Sequence, residues 1–147
     1  MTEKRVIIAS DHAGYELKNK LIKYFETQDI KLIDIGCYTE DSCDYPIIAK
    51  NAVQEILKGN AEKAILVCGT GIGMAIMANR YKGIRAAVVS DTCSSKMSRS
   101  HNDSNVLCIG ARILGLELAK DIVDIWLKTK FLGDRHSKRV SMMDEEV

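Results

Sequence analysis

The stretch Cys68-Gly69-Thr70-Gly71-Ile72-Gly73 decides the fold, because an apolar run precedes it and a helical pattern follows it. Residues 64–67 form a short apolar run of the kind found in buried strands, and residues 74–78 have apolar side chains at helical spacing. Strand, glycine-rich loop and helix are therefore predicted in that order. Three glycines in five positions let the backbone turn sharply and expose its N–H groups at the start of a helix.

Cys68 stands at the end of this predicted strand, beside the N–H groups of the loop. The partial positive charge of a helix N-terminus stabilises an anion such as a thiolate. The loop is thus a candidate anion-stabilising site, with Cys68 as a candidate base or nucleophile. The structural alternative is a tight turn in which Cys68 is a small buried apolar side chain. The loop alone does not decide between the two.

Four further apolar runs alternate with helical patterns along the chain. The runs at residues 6–9, 32–35, 86–89 and 105–109 predict strands, and the patterns at 14–25, 46–57, 92–99 and 116–126 predict helices. Alternation of this kind favours an α/β fold with a five-stranded parallel sheet covered by helices on both faces. The only proline, Pro46, suits the first turn of a helix, and we find no Ser/Gly-rich linker. We therefore predict one domain over residues 1–147.

Composition excludes several classes of protein. The net charge of +1 gives no strong attraction to nucleic acid or to a membrane surface. No apolar run approaches the roughly 18 residues of a membrane span, and residues 1–5 lead into the first strand without a signal-peptide core. The five cysteines are odd in number and lack a C-x-x-C pair, so we expect a reducing, cytoplasmic setting. The three histidines lack metal-ligand spacing, so no metal site is predicted.

Polar side chains follow the predicted strands at the edge where ligands bind in parallel sheets, beyond the carboxyl ends. They are Asp11, His12, Cys68, Asp91 and Arg112. An acid, an imidazole, a thiol and a guanidinium at one edge favour a functional site over a plain turn.

A dinucleotide site is the competing interpretation of the glycine-rich loop. Asp91 lies 20 residues after Gly71, as the acid of the dinucleotide fingerprint would. The full G-x-G-x-x-G pattern needs glycine at position 74, however, and this chain has Met74. The unit is also third in the chain, and no second domain is available for a substrate, so nucleotide binding is not favoured.

Seven short segments extend this pattern over nearly the whole chain. In order they are Ser10-Asp11-His12-Ala13-Gly14, Asp44-Tyr45-Pro46, the Cys68 to Gly73 loop, Gly83-Ile84-Arg85-Ala86, Ser98-Arg99-Ser100-His101-Asn102-Asp103, Gly115-Leu116-Glu117-Leu118-Ala119, and Arg135-His136 with Arg139. Together they resemble the type B ribose-5-phosphate isomerases, in the family that also contains galactose-6-phosphate isomerase subunits. The resemblance implies a three-layer α/β/α Rossmann-like sandwich acting on a sugar phosphate without a metal or other cofactor. It also implies a homodimer, or a tetramer as the alternative, with active sites between subunits.

The resemblance also implies catalytic roles. Cys68 matches the base that moves a proton between C1 and C2 of the sugar, and the loop amides match the anion hole for the enediolate. His101 matches the acid that opens the sugar ring, for which an imidazole is suited. Its structural alternative is a helix C-terminal cap. The Thr70 hydroxyl is expected to contact the substrate oxygens.

The remaining matches are substrate-binding positions. Arg135 and Arg139 match the phosphate ligands, and at i,i+4 spacing a helix would place both on one face. Their alternative is a solvated basic tail. Tyr45 is a pocket residue or, equally well, a packing residue at a helix entry. The full predicted binding set is Asp11, His12, Tyr45, Gly69, Thr70, Gly71, Ile72, Gly73, Asn102, Arg112, Arg135 and Arg139.

Two positions narrow the expected substrate. Some family members carry a glutamate base one residue after the loop; here that position is Met74 and Cys68 is present, so the chain resembles the cysteine-base subgroup. Galactose-6-phosphate isomerase subunits depart at the positions of His101 and Asn102, so this pair indicates a pentose 5-phosphate. Interconversion of D-ribose 5-phosphate and D-ribulose 5-phosphate is therefore expected. A hexose 6-phosphate isomerase and a non-catalytic phosphosugar-binding module are the alternatives.

Overall fold

Five strands alternate with helices in residues 5–145, the part of the chain that the computed structural model describes. The strands are β1 (Val6–Ser10), β2 (Leu32–Asp34), β3 (Lys63–Cys68), β4 (Ala86–Val88) and β5 (Val106–Gly110). The helices are α1 (Tyr15–Glu26), α2 (Tyr45–Leu57), α3 (Ile72–Ala78), α4 (Thr92–Ser100), α5 (Leu116–Lys128) and α6 (Arg135–Met143). Residues 1–4 and 146–147, which the single-domain prediction includes, lie outside the described residues.

The strands form one parallel sheet in the order β2-β1-β3-β5-β4, which confirms the predicted α/β class. β3 lies at the centre, so the glycine-rich loop leaves the middle of the carboxyl edge. The strand order reverses between β1 and β3, and such a reversal opens a crevice at the carboxyl edge of an α/β sheet. Asp11 and Cys68 stand at the ends of these two strands.

Alternating side chains of the central strand divide the core into two layers. Leu66 and Cys68 belong to the layer that α2 and α3 cover, together with Val53 and Met74. Ile65 and Val67 point to the opposite layer, where α1 and α5 pack around Phe25 and Trp126. The Cys68 side chain therefore faces the α2/α3 side of the sheet.

Two polar segments have a structural explanation. Asp91 caps α4: its carboxylate accepts hydrogen bonds from the Ser94 N–H and the Ser94 hydroxyl, both at 2.7 Å, and they lower the pKa of Asp91. Its place after β4 is thus accounted for by helix capping. The basic segment near the C-terminus is a helix and not a solvated tail, because His136 and Val140 on one face of α6 are buried.

No helix in the described part of the chain combines the length and the apolar character needed to cross a bilayer.

Candidate active site

The predicted site residues form two groups in the folded chain. The first, which we call the strand-end cluster, lies at the carboxyl edge of the sheet and comprises Asp11, His12, Tyr45, residues 68–73 and Arg112. The second, the histidine cluster, is built on the C-terminal end of α4 and the start of α6. It comprises the predicted residues His101, Asn102, Arg135 and Arg139, together with His136, which was not among the predicted site residues.

Cys68 is held at the start of the glycine-rich loop by the loop backbone. Its side chain is only 5% exposed, and its Sγ accepts a hydrogen bond from the Gly71 N–H at 3.1 Å. A donor at this distance stabilises negative charge on sulfur. Gly71 has φ +81°, and a Cβ there would lie 3.1 Å from the β5 backbone at Cys108 and Ile109, so this turn requires glycine.

Side chains from two other elements line the loop. The guanidinium of Arg112 lies against Gly69, where an added Cβ would be 3.3 Å from Nη1. The Tyr45 ring packs on Gly73 so closely that a Cβ there would be 2.6 Å from Cε2. Tyr45 is therefore both the first residue of α2 and a neighbour of the loop, which combines the two roles considered for it.

Asp11 and His12 border the loop on its other side, at the end of β1. The Asp11 N–H donates to the Val67 carbonyl at 3.2 Å, and its buried carboxylate accepts from the Gly14 N–H at 3.1 Å. His12 is exposed, and its Nδ1 accepts from the Cys43 N–H at 3.3 Å. The strand-end cluster thus gathers a thiol, a carboxylate, an imidazole and a guanidinium around one loop.

A buried lysine that was not predicted from the sequence stabilises the carboxyl edge of the sheet near β2. Lys18 is fully buried, and its Nζ binds Asp34 Oδ1 at 2.9 Å and donates to the Cys37 carbonyl. Asp34 in turn accepts from the Gly36 N–H at 2.9 Å. These contacts fix the start of the 36–44 segment that carries Cys43 toward His12. A lysine within an otherwise helical pattern carries no signal of burial, so only the fold identifies it.

The histidine cluster is organised by two stacked rings. His101 is the C-terminal cap residue of α4, and its imidazole stacks on that of His136 with centroids 4.3 Å apart and planes 12° apart. Arg135 and Arg139 stand one turn apart on α6, with exposed side chains. Asn102 follows His101 and is also exposed. Two imidazoles, an amide and two guanidinium groups suit an anionic, hydroxyl-rich ligand.

A buried arginine holds the end of α4 in place. Arg99 Nη1 donates to Asp103 Oδ1 at 2.9 Å and to the Ser104 carbonyl at 2.6 Å, and Nε donates to the Thr129 carbonyl at 3.3 Å. Trp126 Nε1 donates to the Ser104 hydroxyl at 2.9 Å. These contacts fix the turn that presents His101 and Asn102.

The two clusters lie at opposite edges of the same sheet. Cys68 pairs with Gly110 at the end of β5, whereas the 101–105 turn leads into Val106 at the beginning of that strand. Four residues of strand separate the two levels, a distance of about 13 Å. Within a single chain, His101, Arg135 and Arg139 therefore lie at the edge opposite Cys68, because α4 runs back against the strands.

Comparison with known proteins identifies the family of this chain. A family model described as Ribose/Galactose Isomerase matches residues 6–143. This chain belongs to the ribose/galactose isomerase family. It is 42% identical over 137 residues to ribose-5-phosphate isomerase B of Escherichia coli, covering 93% of this chain and 92% of that protein.

Solved structures of the ribose/galactose isomerase family have the same fold. A ribose 5-phosphate isomerase from Thermotoga maritima superposes with a TM-score of 0.94 at 47% identity, covering 99% of this chain and 100% of that one. Ribose-5-phosphate isomerase B from Mycoplasma genitalium, solved with bound ribulose 5-phosphate, gives a TM-score of 0.91 at 33% identity, covering 98% and 96% of the two chains. The predicted three-layer Rossmann-like fold and the predicted family are both confirmed.

Two further thiols lie beside the strand-end cluster of this family member. The Cys43 thiol is hydrogen-bonded to Cys37, close to His12. Burial and then the Cys37 thiol raise the pKa of Cys43 to about 11. On the next strand, burial and then nearby Cys68 raise the pKa of Cys108 well above its usual range. Both thiols are protonated at neutral pH, so neither competes with Cys68 as a base.

Alkylation rates test this protonation state. Because only the thiolate reacts, we expect Cys43 to react slowly with iodoacetamide at pH 7.5 and about tenfold faster per pH unit up to pH ~11. Peptide mass spectrometry over a pH series measures the rate, with exposed Cys93 as the internal comparison. A rate at Cys43 equal to that at Cys93 at pH 7.5 contradicts the assignment.

Proposed function

We propose that this protein is an aldose–ketose isomerase that interconverts D-ribose 5-phosphate and D-ribulose 5-phosphate. The observation that carries the proposal is Cys68 with the Gly71 N–H on its sulfur, at the strand reversal point of a chain from this isomerase family. Relatives named ribose-5-phosphate isomerase B match nearly the whole chain, and one of them binds ribulose 5-phosphate in its structure. Among the described residues, no contact favours the hexose 6-phosphate or the binding-module alternatives.

The histidine cluster binds the phosphate and opens the sugar ring. Arg135 and Arg139 offer guanidinium donors that match a phosphate dianion. The ribose ring must open before C1 becomes an aldehyde. His101 can give a proton to the ring oxygen while the C1 hydroxyl loses one, since an imidazole both donates and accepts near neutral pH.

The strand-end cluster transfers the proton between C1 and C2 of the sugar. The Cys68 thiolate removes the C2 proton, the electron pair forms a C1–C2 double bond, and negative charge moves to O1. The sulfur returns the proton to C1, and the O2 proton moves to O1, which leaves a ketone at C2. No external oxidant or reductant is needed, because C1 is reduced as C2 is oxidised within the same molecule.

The loop stabilises the enediolate between these steps. Backbone donors fixed before the reaction need no reorganisation as charge develops on the oxygens, and each typically contributes a few kcal/mol. The Gly71 N–H already donates to Cys68 and the Ile72 N–H to Thr70, so the amides of Gly69, Thr70 and Gly73 are the ones available to the substrate. Thr70 Oγ1 accepts from the Ile72 N–H at 3.2 Å, which leaves its hydroxyl proton free to donate to O1 or O2.

A complete site needs two chains under this proposal. The strand-end cluster has the base, and the histidine cluster at the opposite edge has the phosphate ligands and the ring-opening group. A symmetric dimer brings the strand-end cluster of each protomer to the histidine cluster of its partner and so forms two equal sites. The five free thiols, without a disulfide framework, support a reducing cytoplasmic location for this dimer.

A substrate panel tests the proposed function. The purified protein is incubated with D-ribose 5-phosphate, D-ribulose 5-phosphate, D-allose 6-phosphate and D-galactose 6-phosphate, and aldose–ketose conversion is followed by NMR. We expect the highest kcat/KM with the pentose pair. Higher kcat/KM with a hexose 6-phosphate would assign the hexose activity instead, and tight binding without any turnover would indicate a binding module.

A further inference from the structure

We propose that His136 is a positioning residue for ring opening: its imidazole is the flat surface that fixes the plane of His101. The inference deepens the proposed isomerase function and rests on it. The ring opening assigned to His101 depends on a proton being exchanged at a defined place, and a displacement of about 1 Å can cost on the order of 10²-fold in rate. His101 ends a helix, where side chains have most freedom, so its orientation needs a second contact.

The geometry of His136 supplies that contact. The ring is 6% exposed and lies on the inner face of α6 with Val140, whereas its neighbours Arg135 and Arg139 are exposed. It therefore cannot swing into solvent. Parallel rings with centroids 4.3 Å apart fix the tilt of the His101 imidazole while leaving both of its nitrogens in its own plane free for the sugar.

The charges around His136 keep its ring neutral. Burial lowers the pKa of His136, and the neighbouring His101, Arg135 and Arg139 lower it further, while Asp134 opposes them. Two stacked imidazolium rings would repel each other. A neutral His136 avoids this repulsion and so allows the two rings to stay stacked.

The ring surface, rather than a hydrogen bond, is the feature that this chain uses. Nε2 of His136 is buried and has no hydrogen-bond partner within residues 5–145. An unpaired buried nitrogen costs stability, so a phenyl ring of similar shape should be tolerated or favoured. The variants His136→Phe, His136→Gln and His136→Ala separate the two roles, since the first keeps only the ring and the second only the polar group.

The first test needs no substrate. The chain has three histidines, so the imidazole C2–H signals of the ligand-free protein can be assigned with single variants. Stacking on His136 shifts the His101 signal upfield. We expect His136→Phe to keep this shift and His136→Gln and His136→Ala to lose it. Loss of the shift in His136→Phe, or its persistence in His136→Ala, overturns the positioning role whatever the enzyme acts on.

The second test separates ring opening from proton transfer. Ribulose 5-phosphate is open-chain, so exchange of its C1 proton with deuterium from solvent reports the Cys68 step alone. We expect His136→Ala and His136→Gln to lower kcat for ribose 5-phosphate by about 10- to 100-fold, with KM and C1 exchange near wild type. His136→Phe should stay within a few-fold of wild type.

Two other patterns overturn the proposal. If His136→Gln is active and His136→Phe is not, the nitrogen and not the ring is required. If kcat and C1 exchange fall together in every variant while the thermal midpoint falls too, His136 has only a structural role. Wild-type protein inactive on ribose 5-phosphate would instead refute the proposed function, and the NMR test would still decide the stacking.

Discussion

Replacing Cys68 by alanine is expected to lower kcat for ribose 5-phosphate isomerisation by about 10³-fold, within the range of a lost general base. In the proposed mechanism the sulfur at the end of β3 carries the proton between C1 and C2, and the protonated neighbours Cys43 and Cys108 cannot replace it. Exchange of the C1 proton of ribulose 5-phosphate should fall by a similar factor. Cys68→Ser should be almost as impaired, because a hydroxyl is a far weaker acid than a thiol.

Cys108→Ala is the matched control for this prediction. Cys108 is buried on the adjacent strand in the same core layer, so both variants remove one sulfur from one region. Circular dichroism and thermal unfolding should show that all variants fold. Near-normal turnover in Cys68→Ala, or an equal loss in Cys108→Ala, contradicts the assignment of the base.

The second large effect is expected at the arginines of α6. Arg139→Ala should lower kcat/KM for ribose 5-phosphate by about 100-fold, mainly through KM, because charge-assisted hydrogen bonds to phosphate contribute about 1.5–3 kcal/mol each. Arg135→Ala should behave alike. Initial rates measured over a wide range of ribose 5-phosphate concentrations separate KM from kcat.

Lys128→Ala controls for the loss of one positive charge. Lys128 is exposed at the end of α5 and binds Asp124 at 2.7 Å, so it takes no part in either cluster. Its kcat/KM should match wild type. If Arg139→Ala leaves KM unchanged, or Lys128→Ala raises it equally, specific phosphate binding by α6 is contradicted.

Much of the fold follows from local pattern. The central strand alternates Ala64, Leu66 and Cys68 with Ile65 and Val67, and the structure places these two sets in the two core layers. Such apolar runs, bounded by glycine or by a polar residue, are short and buried, so period and length locate them well. The observed ends of β2 and β4 differ by one residue from the predicted ends. Both strands lie at the edges of the sheet, where pairing with one neighbouring strand determines where the strand stops.

The layout of the candidate site was less predictable. The sequence predicts that Cys68 and Asp11 lie together, because each follows a parallel strand and such strands share a carboxyl edge. His101 follows a helix, and only the direction of that helix puts it at the far edge of the sheet. The stacking of His136 on His101 and the packing of Tyr45 on Gly73 join segments more than 25 residues apart in the sequence. The periodicity of apolar residues does not predict such contacts.

Because the two clusters lie at opposite edges of one chain, the proposed active site must be formed by two subunits. Mixed dimers test this directly. Co-expressed Cys68→Ala and His101→Ala chains, each inactive alone, should yield heterodimers with one intact site, and random pairing predicts about one quarter of wild-type activity. Cys68→Ala mixed with Asp11→Ala is the matched control, because both changes lie in the strand-end cluster and no intact site can form. Recovery in the first mixture and none in the second is the predicted result; verified heterodimers of the first pair without activity would contradict a site shared between chains.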